Sequence, residues 1–136
     1  MAKYPQIGMA IEIGSTNKER LEAYELYRQA FNAKLIYEIS EDTPVNDDDI
    51  HVCMKIYGVD VMLCPKTQNG DSMNNMVYFE THYDDENEFR KTYDILIREA
   101  KKHPPENPWP THFARLFTAV TDKYGISWGL FLDKAE

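Results

Sequence analysis

The chain has 136 residues, 43% of them hydrophobic, and a formal net charge of -8. That is enough apolar material for one packed core and too much for a disordered segment. The excess of acidic residues argues against duplex nucleic acid or an anionic membrane surface as partner, because both demand a basic face.

Residues 7–14, IGMAIEIG, alternate in hydropathy and predict a strand, with Met9, Ile11 and Ile13 on one face and Gly8, Ala10 and Glu12 on the other. Thr16 followed by Glu19 is a capping box that starts a helix. Leu21, Tyr24, Tyr27 and Phe31 recur along it at helical spacing, and Asn32 is a stop signal. Strand character resumes in AKLIYEIS, and HVCMKIYGVDVMLC reads as a hairpin around Gly58.

After the polar break PKTQNGDSMNN the order restarts. MVYFETHY is a strand with aromatics on both faces, so its alternation is ambiguous. Asp85 and Glu88 form a second cap, followed by Phe89, Tyr93, Leu96 and Ala100 on one helical face. HPPENPWPTHFAR is a proline-rich crossing loop, and LFTAVTDKYGISWGLFLDK closes as a hairpin. Asp122 and Gly125 suit the first and last positions of a type I turn, so Asp122 is assigned to turn chemistry and not to catalysis.

Thr16 and Asp85, Tyr24 and Tyr93, and Tyr57-Gly58 and Tyr124-Gly125 are each separated by about half the chain. The expected fold is therefore α+β. Two tandem βαβββ modules, at about 5–66 and 75–134, form one domain over 1–136. A curved mixed sheet is expected, with helices on its outer face and a hollow on its inner face.

Alternation assigns side chains to that hollow. In the first hairpin Val52, Met54, Ile56, Val61 and Leu63 belong under the helix; His51, Cys53, Lys55, Met62 and Cys64 belong to the hollow. In the last strand Trp128, Leu130 and Leu132 face the helix, and Ser127, Gly129 and Phe131 face inward. A two-residue turn at Gly58-Val59 of type II′ would set Cys53 opposite Cys64. No basic region followed by a long apolar one opens the chain and no apolar run approaches membrane-helix length, so a cytoplasmic protein with reduced thiols is expected.

Three stretches carry a family resemblance: AYELYRQAFNAKLIYEI, HVCMKIYGVDVMLC and HFARLFTAVTDKYGISWGLFL. They resemble the vicinal oxygen chelate superfamily, which includes glyoxalases and bleomycin-resistance proteins, and within it the PhnB-like branch. Asn32 stands where that branch usually has Gly, and Ala114 and Thr118 stand where its tail commonly has glycines. The resemblance implies a homodimer. For the enzymes of the superfamily it also implies a divalent metal held by His, Gln or Glu at four strand positions. Those positions fall near Gly8, Met62, Tyr78 and Gly129, none of which is a good ligand for such an ion. No metal site is therefore expected. No Gly-rich loop follows a strand, so S-adenosylmethionine or another nucleotide-type cofactor is not expected either.

The function that follows is metal-free binding of a small molecule, with sequestration of a drug or metabolite as one form. The expected pocket residues are Glu12, Cys53, Lys55, Met62, Cys64, Tyr78, Glu80, His82 and Phe131, covered by Trp109 and Phe113. The alternative is a metal-dependent lyase, dioxygenase or transferase of the superfamily. A third reading is an interaction protein whose hollow is filled.

Overall fold

In the computed structural model, residues 7–13, 16–39, 50–65 and 78–135 are described. The chain divides into two compact units, Met1–Gly70 and Asp71–Glu136. Each contains one helix and one mixed sheet, the α+β arrangement expected of tandem βαβββ modules.

The first unit runs β1 (Met9–Glu12), α1 (Asn17–Phe31), β2 (Lys34–Ile39), β3 (His51–Ile56) and β4 (Val59–Cys64). Its sheet has the order β1-β4-β3-β2, with β1 parallel to β4 and the other neighbours antiparallel. Thr16 caps α1 as expected: its hydroxyl accepts the Glu19 N–H at 3.1 Å. The helix ends at Asn32, whose φ of 56° is left-handed. Asparagine tolerates that conformation better than other residues with a Cβ, so the usual glycine is dispensable here.

One contact in this unit has no sequence signature. Arg20 is fully buried beneath α1 and donates to the carbonyls of Ile50 at 2.7 Å and Ile13 at 3.4 Å, and to Asn17 Oδ1 at 3.0 Å. It ties the start of the helix to the end of β1 and the entry to β3, and every partner is an oxygen that burial would otherwise leave short of donors.

The β3–β4 hairpin turns at Tyr57-Gly58, not at Gly58-Val59. Both turn residues have positive φ, 48° and 83°, which makes a type I′ turn. The shift of one residue pairs Cys53 with Met62 and sets Cys64 beside Glu12 of β1. The expected direct opposition of Cys53 and Cys64 is therefore absent, and neither is in a disulfide. The face assignment survives the shift. Val52, Met54, Ile56, Val61 and Leu63 are all buried, and α1 lies against β3 and β4.

The second unit runs β5 (Phe79–Tyr83), α2 (Glu86–Leu96), β6 (Leu116–Thr121) and β7 (Ser127–Leu132), with sheet order β5-β7-β6. Asp85 caps α2, accepting the Glu88 N–H at 3.1 Å. The helix stops at Leu96, short of the expected Ala100, which follows a turn containing Glu99 at a left-handed φ of 57°. The outermost strand of this module is reduced to two antiparallel bridges on β6, Lys102 with Thr121 and Trp109 with Phe117. Between and beside them stand Pro104, Pro105, Pro108 and Pro110, which have no N–H to donate to a continuous ladder.

The β6–β7 turn is organised by Asp122. Its carboxylate is fully buried and accepts the Tyr124 N–H at 2.8 Å, the Ile126 N–H at 3.1 Å and the Trp128 indole N–H at 2.9 Å. Gly125 completes the turn at φ 89°. Turn chemistry is thus the role of Asp122, with one addition: it also fixes the rotamer of a core tryptophan three positions past the turn.

Asp122→Ala strands three donors, each costing roughly 1–3 kcal/mol when buried without a partner. Urea titration is expected to show a loss of about 3 kcal/mol or more, with Asp122→Asn losing less. Gly58→Ala meets no atom within 4 Å of the added Cβ, so its cost is backbone conformation alone, roughly 1 kcal/mol by the same measurement.

Candidate functional site

The side chains expected in one hollow fall into two sets, each on the face of its own sheet that points away from the helix. In the first unit these are Glu12, Cys53, Lys55, Met62 and Cys64. Cross-strand neighbours arrange them in rows: Glu12 with Cys64, Met62 between Ala10 and Cys53, and Lys55 with Asp60. Lys55 and Asp60 form an ion pair near the hairpin tip. Burial pushes the Cys64 thiol up, and the nearby Glu12 carboxylate adds to the effect. Both causes favour the protonated thiol over the reactive thiolate at Cys64.

The second unit gathers Tyr78, Glu80, His82, Trp109, Phe113 and Phe131. The structure resolves the ambiguity of β5: Thr81 and Tyr83 are buried toward α2, and Tyr83 meets Phe89 edge-on at 6.0 Å. Tyr78, Glu80 and His82 consequently emerge on the opposite face. The register then builds three successive rows there. The first is aromatic: His82 pairs with Phe131, Phe131 with Phe117, and Phe117 with Trp109. Phe131 and Phe117 have ring centroids 4.9 Å apart, Trp109 and Phe117 5.5 Å. Phe113 stands over this row, 5.6 Å from Phe117 and 5.8 Å from Phe131. The second row, Glu80, Gly129 and Ala119, is low wherever β6 and β7 cross it. The third contains Ser127 and Thr121.

A low row flanked by aromatic and hydroxyl rows makes a trough. A cleft of about 540 Å³ occupies its β6 side, bounded by Tyr78, Phe117, Ala119 and Ser127 and by Lys102 and His103 of the proline-rich segment. Tyr78 leans over the glycine: a Cβ on Gly129 would lie 3.1 Å from the Tyr78 ring. Phe117, Ala119, Lys102 and His103 were not singled out from the sequence. The alternation of LFTAVT contains the signal for Phe117 and Ala119, whereas Lys102 and His103 reach the cleft through bridges that no periodicity marks.

At the far end of the aromatic row, His82 is held between two carboxylates. Nδ1 lies 2.8 Å from Asp133 Oδ1 and Nε2 3.1 Å from Glu80 Oε2, while the ring stacks on Phe131 at 4.5 Å and 12°. Asp133 is positioned by its own backbone, whose N–H donates to Tyr83 O at 2.7 Å and whose carbonyl accepts Arg115 Nε at 2.6 Å. The Asp133 hydrogen bond raises the imidazole pKa above its ordinary value; desolvation opposes this and Glu80 assists it. Both ring nitrogens are engaged by carboxylates, so neither can face a ligand without breaking the clamp.

No family model and no curated protein matches the sequence. Solved structures do match. The PhnB protein from Bacillus cereus superposes with a TM-score of 0.75 at 17% identity, covering 93% of this chain and 98% of its own. Protein PA1353 from Pseudomonas aeruginosa gives 0.75 at 18%, covering 94% and 97%. The fosfomycin resistance protein FosX from Listeria monocytogenes gives 0.66 at 15%, covering 100% and 95%. The chain has the vicinal oxygen chelate fold. At these identities the likeness extends to the fold alone.

The fold brings with it the question of a divalent ion. Of the four positions that the resemblance assigns to ligands, Met62 offers a thioether, Tyr78 a phenol that leans over Gly129, and Gly8 and Gly129 no side chain at all. That donor set does not fit a hard or borderline divalent ion. Among the described residues no group of three or more His, Cys, Asp or Glu side chains has the geometry to hold a metal, and no helix is long and apolar enough to cross a membrane.

The histidine clamp has a measurable consequence. Because the folded pKa of His82 is raised, the clamp's contribution to stability is fully present below the unfolded value, near 6.5, and is lost as pH rises through the folded pKa. Titration of the His82 ring protons by NMR is expected to give a midpoint above 6.5, lowered more by Asp133→Asn than by Glu80→Gln, since the Asp133 bond is the larger cause. The reverse order would assign the clamp to Glu80.

Proposed function

We propose that this chain is a small-molecule-binding protein that works without a divalent metal, and that its ligand sits on the helix-free face of the second sheet. The single observation behind this reading is the trough itself. Ala119 lowers the sheet between Phe117 and the hydroxyls of Thr121 and Ser127, Tyr78 covers Gly129 beside it, and the cleft of about 540 Å³ falls within the range typical of small-ligand sites, roughly 300–1,000 Å³. An apolar lining with a few placed polar groups is the composition such sites have. In this reading Tyr78 contacts ligand from the cleft wall, and Phe131, Phe113 and Trp109 belong to the aromatic row beside it. Glu80 and His82 hold its far end rigid. In the first unit Glu12, Cys53, Lys55, Met62 and Cys64 remain candidates for ligand contact, as the non-helix face of that sheet.

The alternative is a metal-dependent lyase, dioxygenase or transferase. A Glu-to-Gln mutant of FosX from Listeria monocytogenes has been solved with Mn(II) and 1S,2S-dihydroxypropylphosphonic acid, so a protein of this fold holds a divalent ion when suitable donors are present. The donors at the corresponding positions of this chain speak against it. A homodimer belongs to the same reading, on the resemblance, and sedimentation of the purified chain tests it.

Thermal unfolding of chelator-treated protein separates the two readings. A ligand of the native state raises the midpoint by mass action. The midpoint is expected to stay within about 1 °C on addition of Mn, Fe, Co, Ni or Zn, since the donors at the four positions do not suit such an ion. A saturable rise with one of these ions would transfer the trough to the enzyme reading.

A further inference from the structure

The cleft beside β6 carries a charge pattern opposite to that of the chain. None of the residues that line it is an Asp or Glu, although the chain has 23 acidic residues against 15 Lys and Arg. Two of those residues are Lys102 and His103. Lys102 has no ion-pair partner among the described residues, whereas Lys55, Lys123, Arg28 and Arg90 each have one. Its backbone is fixed at both ends: the N–H donates to Thr121 O at 3.2 Å, and the carbonyl accepts the Thr121 N–H at 2.7 Å. His103 Nδ1 donates to Pro104 O at 2.9 Å, which leaves Nε2 as the imidazole atom available to a ligand. The carboxylate nearest in sequence to the cleft wall, Asp122, is buried and already accepts three N–H donors. Its oxygens are engaged by those donors and it does not line the cleft.

We propose that the cleft binds an organic anion with a planar apolar body: an acid group, such as a carboxylate, against Lys102, with His103 beside it, and a ring against Phe117 and Tyr78. The assignment rests on the small-molecule reading above and narrows it to a class of ligand. Its physical basis is twofold. A charge-assisted hydrogen bond to an otherwise unpaired ammonium is among the stronger polar contacts available. Rings that stand edge-on and tilted to their neighbours, as Phe117 does, present a face for offset stacking. The net charge of -8 repels anions at a distance, so selectivity must come from the local Lys102 ammonium, within a Debye length of about 8 Å at physiological salt.

The test is calorimetric titration of the full chain with three probes of one ring system: 1-naphthoate, 1-naphthamide and 1-naphthylmethylamine. Naphthoate is expected to bind about fivefold or more tightly than the amide, the size of one partly exposed ion pair, and the amine not measurably. Lys102→Met, at an exposed side chain, is expected to remove the preference for naphthoate and leave the affinity for the amide unchanged. Phe117→Ala should weaken both. Equal affinity for all three probes, or a preference that survives both Lys102→Met and His103→Gln, overturns the anion assignment while small-molecule binding stands. Absence of binding by every probe overturns both.

Discussion

The second unit depends on one buried charge. Asp122 sits at the end of β6 with no exposure to solvent, and its carboxylate is satisfied by two backbone N–H groups of the turn and by the indole of Trp128. An uncompensated carboxylate at that depth is too costly to keep, so the turn and the tryptophan can be rearranged only together. This fixes the β6–β7 register. A strand's side chains alternate, so a slip of one residue would exchange its faces. With the register held, Trp128, Leu130 and Leu132 go to α2, and Gly129 and Phe131 go to the other face. The trough is a consequence of that hairpin.

The open face of the second sheet is ordered into rows of different height and polarity. Its aromatic row ends in an imidazole held by two carboxylates, which makes the far end rigid and locally acidic. Its other end carries Lys102 and His103 and no carboxylate. The two ends differ in charge because they are built by different devices: Glu80 and Asp133 come from β5 and from the end of β7, while Lys102 and His103 come from a proline-rich segment that touches β6 at only two bridges. Prolines that prevent a regular edge strand thereby leave room beside β6. The missing strand and the cleft have one cause.

The first unit uses the same topology differently. Its hairpin turns through a type I′ Tyr57-Gly58 corner, and its open face carries Cys53, Met62 and Cys64 where the second unit carries rings. The Cys64 thiol is held protonated by burial and by Glu12. The position equivalent to Gly129 in the repeat is Met62, a side chain that fills the row instead of lowering it. Internal duplication therefore gives two sheets whose open faces differ at this row: Met62 fills it in the first, and the Tyr78 ring covers Gly129 beside the cleft at Ala119 in the second.

Much of this was written in the sequence. Capping residues, the helical stripe of α2, period-2 alternation in the hairpins and the repeated Tyr-Gly corners determined two βαβββ-like modules, the buried face of each hairpin and the turn role of Asp122, because each of these is a local interaction among residues a few positions apart. In α1 the buried stripe is Arg20, Ala23, Tyr27, Ala30 and Phe31, with Leu21 exposed, and Met9 of β1 is exposed too. The tertiary structure alone decided the rest. It placed the hairpin turn one residue earlier, since positive φ at both Tyr57 and Gly58 satisfies a tight corner that composition leaves open. It buried Arg20 against the carbonyls of Ile13 and Ile50, set Asp133 against His82, and brought Lys102 and His103 beside Phe117. These contacts join residues far apart in the chain through side chains of no fixed period, and such partners become neighbours only when the strands have paired.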